Sequence, residues 1–353
     1  MNNIIHGRQV TCLLLVILSG WSLTMSAANG RDGWLILMFA CLGSLLFTVL
    51  CCLPAEHMST VPWFDIPYTV FGHGFSVVYL LLLSALSFWS LCMSVCNGVI
   101  FLRTVSNGAW PVWLLAAAIL ICAVCTVQHG IQKLALWAEP VIWLIILALF
   151  ISLLLSWRQL DWSQLFPVLE NGWTGIPFRT YLLLSVPFGE VFYAVAVIGN
   201  QAGTQVRTGL LRACVLAGVL LCLLYIRNIC LLGAQGANMV LYPSYTAASV
   251  LEFGESFQRG EALISGSLIV CAVARIALLL EFLSGSIQAA TGKTSRRQII
   301  WCSAVLAGIS CVLFTGSNQA FADAQELYQI VFLPVAAAAA GLLYWGVWRK
   351  GKS

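Results

Sequence analysis

The stretch Leu182-Leu-Leu-Ser-Val-Pro187-Phe-Gly189-Glu190-Val-Phe-Tyr-Ala-Val-Ala-Val-Ile198 places a proline, a glycine and a carboxylate inside an otherwise apolar run. Proline has no N–H to donate and its ring crowds the preceding turn, while glycine relaxes the backbone. A helix through this run therefore breaks at 187–189. Outside water, a broken backbone is tolerated only where it faces protein or a wet cavity. Glu190 comes directly after the break. Two readings stay open: a discontinuous helix lining a binding site, with Glu190 as a proton-accepting or amine-binding group, or a proline kink with Glu190 bonded to a neighbouring helix.

The rest of the chain explains why such a run should lie in lipid. Of 353 residues, 61% are hydrophobic and 8% charged, against about 45–50% and 25% in ordinary globular domains. Seventeen basic and thirteen acidic residues cannot clothe a soluble surface of this size. A soluble enzyme, a nucleic-acid binder and a disordered chain are excluded. The apolar runs are long rather than ten-residue alternations, which excludes a β-barrel. An all-α integral membrane protein of about ten transmembrane helices remains. The expected spans are 9–28, 33–53, 75–102, 109–128, 135–156, 178–199, 209–233, 261–284, 298–316 and 327–348.

An even number of spans places both chain ends on one side. The loops on that side hold ten of the Lys and Arg residues and the opposite loops five. By the positive-inside rule both termini are expected to be cytoplasmic. Arg8, the apolar run from Val10 and the small patch Ser26-Ala27-Ala28 resemble a cleavable leader, but the run is long enough to span and is read as an uncleaved first helix. No extramembrane segment is long enough for its own core, so residues 1–353 form one domain. Two five-span halves, about 1–160 and 161–353, would have inverted topology, a conjecture from the count alone. The fourteen cysteines lie in or at the end of apolar runs, as small buried side chains and not as a disulfide framework. Cys122-Ala-Val-Cys125 has metal or redox spacing but no second ligand pair nearby.

The first span has a weaker interruption, Leu18-Ser19-Gly20-Trp21-Ser22. Paired interruptions at the start of each half point to a transporter-type site between them, although Ser-Gly alone is also a helix-packing pair. In the third span Ser87, Ser90, Ser94 and Asn97 fall on one stripe, either helix–helix glue or a ligand face. Arg227 and Arg275 lie deep in the seventh and eighth spans, and each needs a partner, with Glu190 a candidate for either. Glu281 lies near the end of its span and can snorkel; Glu139 sits at the start of the fifth. The candidate ligand-binding residues are thus Ser19, Gly20, Ser94, Asn97, Pro187, Phe188, Gly189, Glu190 and Arg275. No nucleotide loop, zinc pattern or nucleophile–base arrangement appears, so neither catalysis nor a cofactor is expected.

Leu165-Phe-Pro167-Val-Leu-Glu170-Asn-Gly172-Trp173, followed by Pro187-Phe-Gly189-Glu190, resembles the spore germination permease family, the B subunits of GerA-type germinant receptors. Softer support comes from Arg8-Gln9, from Gly130-Ile-Gln-Lys133-Leu-Ala-Leu-Trp-Ala-Glu139-Pro140 and from Arg259-Gly-Glu261. The resemblance covers essentially the whole chain. It implies a fold similar to amino acid/polyamine/organocation transporters, with inverted 5+5 repeats and discontinuous first and sixth helices. It also implies a nutrient-sensing subunit in the inner membrane of the spore, binding a small molecule such as an amino acid, with A and C subunits as partners. An amino-acid secondary transporter, proton- or cation-coupled, is the alternative. Two features depart from the family: the cysteine content is high, and Ser265-Gly266-Ser267 stands where a tryptophan is expected.

Overall fold

The computed structural model describes residues 5–20, 30–170, 172–199, 205–249, 260–292, 295–314 and 318–350. Trp21, Ser22, the Ser26–Ala28 patch, Asn171 and Arg259 lie outside the described residues. Among those described the chain is helical, with no strand. Eight helical segments are long and apolar enough to cross a membrane, and two shorter apolar helices, Gly7–Ser19 and Val112–Gln128, occupy the places expected of the first and fourth spans.

The principal helices are α1 Gly7–Ser19, α2 Gly33–His57, α3 Ile66–Phe71, α4 His73–Val105, α5 Val112–Gln128, α6 Ile131–Ser156, α7 Ile176–Ser185, α8 Val191–Ile198, α9 Val206–Met239, α10 Pro243–Ser249, α11 Gly260–Thr291, α12 Arg296–Phe314 and α13 Asn318–Lys350. The sixth span is thus two helices, α7 and α8. The first span also departs from a continuous 9–28 helix: α1 stops at Ser19 and Gly20 caps it, its N–H reaching Ile17 O and Leu18 O. α9 is interrupted at Gly233, whose φ of 71° is left-handed and suits glycine.

Polar contacts between distant segments confirm the alternation of ten crossings. On the face carrying the chain ends, Arg207 meets Glu56 at 3.1 Å, Arg8 meets Glu139 at 2.8 Å, and Lys350 donates to Thr69 O at 2.8 Å. On the far face, Arg31 meets Glu170 at 3.2 Å, and the Leu169 and Asp161 amides donate to Asp32 Oδ1 and Cys230 O at 2.9 and 3.0 Å. Each contact joins segments that the count assigns to one face.

The bundle is inside-out by soluble standards. Leu46, Val78, Phe150, Leu154 and Leu313 are exposed, whereas Ser44, Thr48, Ser87, Ser90, Glu190 and Arg227 are buried. Apolar exteriors of this extent suit lipid. The cysteine expectation needs one correction: all fourteen are free, but Cys122, Cys125 and Cys302 face outward rather than inward. A thiol is apolar enough to face lipid, so an apolar run alone does not tell which side of a helix is buried.

Two packing groups emerge. α1 and α2 each pack on α9, while α4, α5, α11 and α12 pack on one another, and α8 lies between the two groups, touching α2 on one side and α11 on the other. α6 touches α1 and α11, bridging the sets, and α13 lies along α2 and α7.

Candidate functional site

Val186, just before the proline, is extended (φ −141°, ψ 118°) and ends α7, as the bulk of a following proline ring demands. A single tight turn, Phe188–Glu190, then leads into α8. Gly189 permits this turn to press against α13: a Cβ there would lie 2.9 Å from Phe332 Cε1 and 3.2 Å from Leu184 O. The turn delivers Glu190 to the interior, 1% exposed.

Glu190 Oε1 accepts from Arg275 Nε at 2.9 Å and from a second guanidinium nitrogen of the same arginine. Ser90 Oγ also donates to it, at 3.4 Å. Arg275 is thus Glu190's partner, and Arg227 is not. The other oxygen, Oε2, is buried without a hydrogen-bond partner, as is Ser185 Oγ at the end of α7. Buried polar atoms are normally satisfied, so the break concentrates unused hydrogen-bonding capacity. Glu190, on the turn into α8, thus reaches Arg275 on α11 and Ser90 on α4.

Tyr193, one turn beyond Glu190, places its hydroxyl 3.2 Å from that of Tyr328 on α13. Rings continue from there toward the face carrying the chain ends: Tyr193 to Phe282 at 4.8 Å, Phe282 to Phe64 at 5.5 Å, and Phe192 to Trp63 at 5.6 Å. This aromatic column closes the bundle beneath Glu190. Tyr193 was legible as the i+3 neighbour of Glu190; Tyr328, Phe282 and Trp63 come from three other segments and carry no local signal.

The remaining expected residues fall into place unevenly. Ser19 is buried and returns its hydroxyl to Leu15 O at 2.6 Å. Gly20 lies against α11, where a Cβ would be 3.1 Å from Cys271 Cβ. Pro187, Phe188 and Gly189 form the break. Ser94 bonds back to Ser90 O at 2.6 Å, and Asn97 reaches Gln325 at 3.5 Å rather than Glu190. Within the serine stripe Ser87 is glue between α4 and α11, meeting Leu279 O at 3.4 Å, and Ser84, one turn before it, adds a 2.8 Å contact with Ser286. Ser90, one residue of that stripe, is the one that reaches the carboxylate. Glu281 pairs with Arg296 near the face carrying the chain ends, and Glu139 pairs with Arg8.

The 165–173 segment does not reach the centre. Glu170 and Gly172 line a far-face cleft of about 340 Å³ together with Arg31, Asp32, Arg179 and Gln235. A larger apolar groove of about 420 Å³ runs between α5 and α12 past Trp113 and Trp301, with no charged residue in its lining. Beside the cleft, Asp161 is exposed, and hydrogen bonds from the Ser163 hydroxyl, Gln164 and the Ser163 amide hold its carboxyl below the ordinary carboxylate range. A depressed value stabilises the folded loop above the unfolded pKa of about 4 and ceases to do so as pH falls through the folded one. At about pH 5, pepsin is expected to cut Trp162–Leu165 in Asp161→Asn but not in wild type. Equal cutting there would refute this role for the carboxylate, and the difference should vanish at lower pH.

Comparison with known sequences adds the family. The profile described as "spore germination protein" matches residues 5–319. The chain belongs to that family. No characterised protein sequence gives a significant match. Among solved structures, the nucleobase-cation-symport-1 family transporter Mhp1, in a closed conformation with bromovinylhydantoin bound, is similar over 97% of this chain and 78% of that one, with TM-score 0.72 and 10% identity. A histidine-to-alanine variant of the manganese transporter from Eremococcus coleocola is similar over 97% of this chain and 76% of that one, with TM-score 0.61 and 12% identity. At such identities the likeness is one of fold: this spore germination family member has a transporter-like architecture with a broken sixth helix.

Proposed function

We propose that the chain is a nutrient-sensing subunit of a germinant receptor in the spore inner membrane, binding an amino acid at the Glu190–Arg275 centre. The carrying observation is that pair, set at a broken helix and tying the turn into α8 to α11, with Glu190 Oε2 unpartnered. A zwitterion matches both members. Its ammonium group suits the carboxylate and its carboxylate suits the guanidinium, so it can replace the internal pair without leaving either charge buried alone. Replacing that contact favours a second packing of the two groups to the extent that the ligand binds it better. In this reading A and C subunits receive the bias, both termini are cytoplasmic, and the basic loops beside α1, α9, α12 and α13 support that orientation.

Spores carrying Gly20→Leu or Glu190→Ala are expected to lose at least tenfold in amino-acid sensitivity, about 1.4 kcal/mol or more of coupling, at wild-type receptor levels. Normal germination at those levels would remove the pocket from this site. The second reading, a proton- or cation-coupled amino-acid transporter, draws on the fold likeness to transporters. Uptake of labelled amino acid by proteoliposomes holding this chain alone would favour it over the receptor.

A further inference from the structure

Arg227 is a second buried cation, and the site proposed above makes no use of it. It lies on α9 six residues before the Gly233 break, about 9 Å of helix from it, and is 1% exposed. Its Nε donates to Ser156 Oγ at 3.2 Å, and Ser156 in turn donates to Ser152 O. Neither terminal nitrogen, Nη1 or Nη2, has a hydrogen-bond partner. Beside it on α6 and α9, Ser152 Oγ and Asn228 Oδ1 are also buried and unsatisfied. Of the two carboxylates that could answer it, Glu190 binds Arg275 through Oε1, and Asp161 accepts from Ser163 and Gln164. Asp161's loop closes over the end of α9, its amide donating to Cys230 O at 3.0 Å.

A guanidinium presents five N–H donors in a planar fork, and Nη1 and Nη2 carry four of them. A buried cation whose charge and donors go unanswered is strongly disfavoured, and such groups pair with an anion whenever one is at hand. Here the chain supplies a donor-rich fork, a hydroxyl able to donate at Ser152 and, among the described residues, no hydrogen-bonded counter-charge. We propose that Arg227 is the core of a small-anion site between α6 and α9 near the far face, taking a halide or a carboxylate across Nη1 and Nη2. Its bound anion would stabilise the α6–α9 contact, which links the bridging helix α6 to the first packing group. The inference is independent of the ligand assigned to Glu190.

The test uses the full chain purified in detergent, with unfolding midpoints measured at constant ionic strength while gluconate, the bulkiest anion of the series, is replaced by chloride, bromide or acetate. The wild-type midpoint is expected to rise by about 2–3 °C for each tenfold rise in the favoured anion above its dissociation constant. Arg227→Met is expected to show no such slope and, in gluconate, a midpoint at or above that of wild type, because it removes an unpaired buried charge. Arg227→Lys, which keeps the charge but loses the fork, is expected to show a reduced slope. Whether chloride or acetate raises the midpoint further at equal concentration distinguishes a halide from a carboxylate site. Equal slopes in wild type and Arg227→Met would overturn the proposal, as would a flat wild-type response, which would mean that water alone solvates the fork. Should Arg227→Met not fold, Ser156→Ala supplies the comparison: it frees Nε and is expected to weaken retention of radioactive chloride or acetate at least threefold. Unchanged retention there would also overturn the site.

Discussion

Arg275→Met, with Glu190 intact, is expected to lower stability by about 3–5 kcal/mol, because it leaves a carboxylate buried and unanswered. Glu190 is 1% exposed and its Oε1 accepts both arginine contacts as well as the Ser90 hydroxyl. After the substitution Ser90 alone remains, and a neutral hydroxyl at 3.4 Å cannot replace a guanidinium. The double variant Glu190→Gln/Arg275→Met is expected to recover most of the loss, since removing both charges together avoids the unpaired state. Midpoints of thermal unfolding in detergent for the two single variants and the double variant give the coupling. Additive losses would mean that the pair contributes nothing as a pair. The same double variant, if it folds normally, should not respond to amino acid, which separates stability from sensing.

The second large effect concerns a glycine with no charge nearby. A Cβ at Gly218 on α9 would lie 2.4 Å from Cys41 Sγ and 2.9 Å from Cys41 Cβ on α2. Neither helix backbone can yield without disturbing Phe188, whose ring lies 3.9 Å from the same point. Gly218→Leu is therefore expected to destabilise by about 3 kcal/mol or more, the upper range for overpacking, while Cys41→Gly in the same chain should recover a large part. Small residues let membrane helices approach closely, and the α2–α9 contact depends on this one. Wild-type midpoints for Gly218→Leu, measured as above, would mean that the helices are further apart in solution than drawn here.

Glu190 was legible from the sequence because a carboxylate beside proline and glycine stands out in an apolar run. The succession of apolar helices followed from run lengths. The partner of Glu190 was not resolved: Arg227 and Arg275 both lie deep in their spans, and helical periodicity does not fix how one helix is rotated against another. Serine spacing in α4 predicted a shared face but could not say which serine meets the carboxylate; Ser90 does, and Ser94 turns back on its own helix. Asn97 was placed near the site by the same stripe and instead reaches α13. The aromatic column escaped for a different reason. Its members come from the segment between α2 and α4, from α8, α11 and α13, and in a chain with this many aromatic residues none is locally conspicuous.

The contact of Glu190 with Arg275 and Ser90 ties the turn into α8 to α11 and α4, where the two helical groups meet. Whatever alters the spacing of the two groups changes the free energy of that contact, and whatever occupies the contact changes the spacing. Thermodynamic linkage makes the exchange symmetrical. A protein bound to either helical group that raises affinity at Glu190 tenfold is itself held tenfold more tightly once Glu190 is occupied. The centre and its neighbours thereby measure one another in equal amounts.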